Sequence, residues 1–105
     1  MPNINHNSQR MHALKLIQNG RDEEAESILL GVIKTITPIC DDFIQLGTIY
    51  GIRSEWDKLE SYSRKALEIN PESLDAQNNL AISLKNKHNY VEAIKIYREI
   101  ILRDS

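Results

Sequence analysis

Cys40, His6, His12, His88 and the neighbouring pair Asp41-Asp42 are the residues of this chain with the most chemical potential. Metal ligation by histidine needs two ligands on one helix face, as in His-x3-His, or a Cys-His set at zinc spacing. His6 and His12 are six residues apart, which points them to different faces of a helix, and His88 falls in an expected turn. Asp41 and Asp42 are adjacent, so on a helix their carboxylates diverge rather than form an acid–base pair. They are better placed to stabilise the positive end of a helix. Cys40 opens the same helix, where a thiol pKa can fall, but there is no second cysteine to pair with it. A small-residue or capping role is therefore expected for it. Ser8, Ser54 and Ser61 have no histidine at a suggestive spacing, and no glycine-rich phosphate loop is present. These residues give no catalytic, cofactor or metal constellation. The expectation is a protein that is not an enzyme.

Composition narrows the choice further. Thirteen basic against fifteen acidic residues leave a formal charge of -2, with no basic stripe of the kind that binds nucleic acid. A hydrophobic share of 41% and a charged share of 27% fit an ordinary folded chain of one domain. The first residues, 1–5, are polar and lack the apolar core of a secretory signal. Gly47-x3-Gly51 matches a membrane-dimer spacing, but its helix is too short and polar to span lipid. No membrane association and a cytoplasmic location are expected.

What must position any binding residues is a repeat. Leu80-Ala81-x2-Leu84 is preceded at 34 residues by Leu46-Gly47-x2-Tyr50, and at a further 34 by His12-Ala13-x2-Leu16. Ala25, Leu59 and Ala93 keep the same register, as do Leu29, Ser63 and Tyr97. Repeats are thus expected at about 6–39, 40–73 and 74–105. Local signals divide each into two helices. The expected spans are about 8–19, 22–35, 39–52, 55–69, 73–86 and 90–103. Ser8 is the expected N-cap of the first helix. Gly20 should end that helix in a left-handed conformation. Asp22, Glu23 and Glu24 suit the start of the second helix. Pro38 and Pro71 should break the chain between hairpins. Ala13, Gly47 and Ala81 are small and equivalent, so they should let the two helices of a hairpin approach closely. Leu46, Tyr50, Leu80 and Leu84 should fill that seam.

Period and pattern resemble the tetratricopeptide repeat, whose signature runs W-x2-L-G-x2-Y, A-x3-F, then P. The middle repeat supplies Phe43-x2-Leu46-Gly47-x2-Tyr50 and Pro71, and the third Leu80-Ala81, Tyr90-x2-Ala93 and Tyr97. The first keeps Ala13, Gly20, Ala25 and Leu29. Leu59 and Ser63 depart from the small and aromatic residues of the pattern. The resemblance implies an all-α fold, a right-handed solenoid of three stacked antiparallel hairpins. It also implies a protein-interaction scaffold that holds a peptide or partner protein in a concave groove lined by the first helix of each repeat. A docking or regulatory segment of a larger enzyme, such as a transferase, is the alternative. Carried over by position, the groove would be lined by Arg10, Met11 and Leu14, by Ile44, Gln45 and Thr48, and by Asn78, Asn79 and Ile82. Ile17, Gly51 and Lys85 form a second tier. The family's clamp for a C-terminal carboxylate needs cations where this chain has Arg10, Leu14, Gln45, Asp75 and Asn79. One cation and a repelling Asp75 make that ligand an unsuitable one. Finally, Ile94, Ile101 and Leu102 project away from the face of the last helix that carries Ala93, Tyr97 and Ile100. They are expected to form an exposed apolar strip that is covered by a second copy of the chain, a partner or a downstream segment, with a homo-oligomer through this edge the favoured reading of the three.

Overall fold

The structure is a computed structural model that describes residues 6–103. It is all-α, with six helices and, among the described residues, no strand. They are α1 His6–Gln18, α2 Asp22–Thr35, α3 Cys40–Ile52, α4 Trp56–Ile69, α5 Leu74–Asn86 and α6 Tyr90–Arg103. Helices α1, α3 and α5 are 13 residues each and α2, α4 and α6 are 14 each. Every boundary recurs one repeat length later, so the sequence period is also the structural period. The chain divides into two compact units, residues 1–38 and 39–105.

The turn inside each hairpin repeats atom for atom. The residue two past each first helix has positive φ: Gly20 at 77°, Ser54 at 58° and His88 at 67°. The next N–H then reaches back to the last turn of the helix. Arg21 donates to the Leu16 carbonyl at 2.8 Å, Glu55 to Tyr50 at 2.9 Å and Asn89 to Leu84 at 2.8 Å. The left-handed residue donates to a carbonyl three back at 3.0–3.1 Å in all three turns. This pair of bonds satisfies carbonyls that a helix end leaves orphaned. Glycine makes the turn without steric cost, whereas a side chain in that region costs about 1–2 kcal/mol. Ser54→Gly is therefore expected to stabilise the second hairpin by about 0.5–1 kcal/mol, net of the extra chain entropy of glycine when unfolded. Thermal or denaturant unfolding checks it.

Helix starts differ between repeats. Asp42 is buried, and its Oδ2 accepts the Ile39 N–H at 2.9 Å while its own N–H donates to the Ile39 carbonyl at 3.0 Å. Ser73 caps α5 through its hydroxyl, which accepts the Ala76 N–H at 3.2 Å. Ser8 does not cap α1: the helix already includes His6, so Ser8 lies within its first turn and is exposed. Pro38 and Pro71 both fall between helices, as their missing N–H requires.

In the first unit Ala13 and Leu16 of α1 and Ala25, Leu29 and Val32 of α2 are buried. In the second, two hairpins stack through α4 and α5, and α3 also meets α5. One core cluster joins Ile44, Ala66 and Ala76, flanked by Cys40, Phe43 and Leu67. Another joins Leu80, Leu84 and Ala93, flanked by Leu67, Ile96 and Tyr97. Leu67 touches both clusters, so α4 is the shared wall of the two hairpins.

Candidate protein-interaction site

The seam of the second hairpin fixes where α3 and α5 hold their side chains. A Cβ on Gly47 would lie 3.3 Å from Leu59 Cδ1, 3.8 Å from Asn79 Nδ2 and 3.9 Å from Ser63 Oγ. One on Gly51 would lie 3.6 Å from Leu59 Cδ2. Leu59 therefore occupies the space that two glycines leave open. The other repeats have Ala13 with Ala25 and Leu29, and Ala81 with Ala93 and Tyr97. In the middle repeat bulk has moved one turn along α4, from position 63 to position 59, and Gly47 makes room for it. The exchange leaves Ser63 Oγ buried without a hydrogen-bond partner among the described residues. Ser63→Ala is expected to raise stability by about 1 kcal/mol, because the desolvated hydroxyl gains nothing by its burial. A lower denaturant midpoint would show that the hydroxyl is satisfied.

Asn79 sits at the junction of α5 with α3, half-buried, and Asn78 beside it is exposed. On α3, Gln45 and Thr48 are half-buried, and the Thr48 hydroxyl is spent on the Ile44 carbonyl at 3.0 Å. Ile82 is half-buried. Ile44, which the sequence places among the groove residues, is instead buried in the core against Ala66 and Ala76. Stacking of the second and third hairpins covers it, so it supports the face from beneath. In the second unit the carboxamides fall into two groups. Asn70 accepts from Glu72 N–H, Gln77 donates to the Pro71 carbonyl, Asn86 to that of Ile82 and Asn89 to Glu92. The side chains of Gln45, Asn78 and Asn79 have no hydrogen-bond partner among the described residues. All three lie on α3 and α5.

In the first unit, Leu14 and Met11 of α1 are exposed, Arg10 and Ile17 are half-buried, and Arg10 Nη1 approaches Asn7 Oδ1 at 3.5 Å. His6 and His12 border one hollow with Ser8, Gln9, Ser27, Ile28, Gly31, Val32 and Thr35. Among the described residues no group of three or more His, Cys, Asp or Glu could hold a metal ion. Likewise no described helix is long and apolar enough to cross a membrane.

Cys40 is half-buried beside the Ile44 cluster, its Sγ 3.4 Å from the Ala66 carbonyl. Burial pushes its thiol pKa up, although Ser73 opposes the shift, and its side chain packs against the Ile44 cluster. A network invisible in the sequence ties α4 to the turn before α6. Lys87 Nζ reaches Asp57 at 2.6 Å and Glu60 at 2.8 Å, and Arg64 reaches Glu60 at 3.1 Å and Glu92 at 3.3 Å. The Lys87 hydrogen bond holds the Glu60 carboxyl below its ordinary pKa. Arg103 donates to the Glu72 carbonyl at 2.8 Å and to Gln77 Oε1 at 2.9 Å, tying the end of α6 to α5 and the loop before it. On α6, Ile94, Ile101 and Leu102 are exposed.

Residues 62–95 match the family model of the tetratricopeptide repeat. The matched stretch is one repeat in length, from the middle of α4 through α5 into α6. No curated protein matches the chain. Repeats of this kind are typically non-catalytic scaffolds for protein–protein interaction. The match supports assignment of this stretch to the tetratricopeptide repeat family, and the six helices, with a left-handed turn in each hairpin, fit three such repeats.

Proposed function

We propose that this chain acts in protein–protein interaction. The partner protein or peptide is held against the face of α3 and α5 that carries Gln45, Thr48, Asn78, Asn79 and Ile82. Within the first unit, Arg10 and Leu14 hold the equivalent positions on α1. The observation that carries this reading is the set of three unpartnered carboxamides on α3 and α5, in a unit whose other carboxamides are all engaged. An amide can donate to and accept from a peptide backbone at once, and Ile82 adds apolar contact beside them. No nucleic-acid or membrane partner is proposed, since the charge of -2 comes with no basic stripe.

Each lost amide bond is worth about 0.5–1.5 kcal/mol net. Asn78→Ala/Asn79→Ala is therefore expected to weaken a partner captured by the immobilised chain by about 5- to 150-fold. Helical content by circular dichroism should not change. Unchanged affinity would move the binding surface off α5.

A further inference from the structure

Helix α6 is covered on one side only. Ala93, Ile96 and Tyr97 pack with Leu80 and Leu84 of α5. The outward side carries Val91, 85% exposed, Ile94, 49%, Ile101, 67%, and Leu102, 73%. At about 100° per residue, Val91, Arg98 and Leu102 run along the middle of this face, with Ile94 and Ile101 to one side and Lys95 to the other. Val91, Ile94, Lys95, Arg98 and Glu99 line a shallow hollow of ≈ 490 Å³.

Two cations, Lys95 and Arg98, stand among these apolar residues. Elsewhere in the second unit Arg53 and Lys58 pair with Glu55, Arg64 with Glu60, Lys87 with Asp57, and Arg103 with Glu72, Lys65 lies over the Tyr62 ring, and Lys85 makes no ion pair among the described residues. Lys95 and Arg98 make no ion pair among the described residues. Glu99 borders the same hollow farther round the helix, which leaves two cations to one anion there. Symmetric antiparallel pairing of two α6 faces would bring Lys95 and Arg98 against their own copies. Like charges in a contact that excludes water oppose that pairing. Carboxylates set among apolar side chains would instead satisfy both cations and cover the isoleucines. Val91, Ile94, Arg98 and Ile101 are spaced three, four and three residues apart, the spacing at which two helices interlock.

We propose that the outward face of α6 docks an amphipathic helix of a partner protein, its apolar residues covering Ile94 and Ile101 and its Asp or Glu carboxylates meeting Lys95 and Arg98. This face shares no residue with the amide face of α3 and α5, so it stands whether or not that face binds. The test is selection of helical peptides, randomised along one face, against the wild-type chain. Enriched peptides should combine acidic and apolar residues at helical spacing. They should lose at least about ten-fold in affinity for Ile94→Glu/Ile101→Glu and for Lys95→Glu/Arg98→Glu, both variants keeping wild-type circular dichroism. Replacing their acidic residues by lysine should restore binding to Lys95→Glu/Arg98→Glu. No enrichment, enrichment without an acidic excess, or equal binding to the variants would overturn the proposal. So would a wild-type dimer in sedimentation that Ile94→Glu/Ile101→Glu dissolves, which would give the face to a second copy of the chain.

Discussion

Truncating Leu46 to alanine is expected to cost about 2–5 kcal/mol of unfolding free energy, read as a lower denaturant midpoint at unchanged slope. Leu46 is fully buried in α3, at a place where the third repeat has the buried Leu80 and the first has the exposed His12. Deleting its methyl groups removes apolar burial and leaves a void that the flanking helices can only partly close. His12→Ala, one period earlier, removes a side chain already in solvent and should lie within about 0.5 kcal/mol of wild type. A cost below about 1 kcal/mol at Leu46 would mean that the seam does not run where the structure puts it.

Gly47→Leu is the opposite error at the neighbouring position, and should cost about 1–3 kcal/mol by overpacking. The first atom of the new side chain would already stand 3.3 Å from Leu59 Cδ1, before its remaining carbons are placed. Ordinarily, replacing glycine in a helix gains up to about 1 kcal/mol of propensity. A net loss would therefore be a direct sign of the close approach. Because the obstacle is one side chain, Leu59→Ala should cost less in the Gly47→Leu background than in wild type. The two substitutions should couple by about 0.5–3 kcal/mol in a double-mutant cycle. Strictly additive effects would separate Gly47 from Leu59 and remove the explanation offered here for both departures from the repeat pattern.

The parts of this molecule legible in the sequence are those set by the period. Helices begin at His6, Cys40 and Leu74, the expected repeat starts, and each expected helix boundary falls within two residues of the observed one. Pro38, Pro71 and Gly20 act through the backbone alone, so residue type announces them. The turn at Ser54 and His88 was not announced in this way. Both adopt the left-handed conformation because two hydrogen bonds of the turn demand it, not because the side chain favours it. Ser8 misleads for the complementary reason: a good capping residue caps only where a helix begins, and α1 is already under way at His6. Ile44 shows the limit for the site. Its place on α3 is equivalent to that of exposed Asn78 on α5, yet contact with Ala66 and Ala76 buries it. Burial of that kind depends on which neighbours stack against a position. The unpartnered amides and the Lys87 network likewise depend on distances between residues about 30 apart, which a one-dimensional pattern does not hold.

The central claim is that the amide face of α3 and α5 meets the partner. It is tested most directly by the side-chain NH2 resonances of the chain as a captured partner is added. Those of Gln45, Asn78 and Asn79 should shift with the partner's affinity, while those of Gln77 and Asn86, already bonded within the chain, should stay in place. Shifts confined to Gln77, Asn86 or Asn89, with Gln45, Asn78 and Asn79 unmoved, would contradict it.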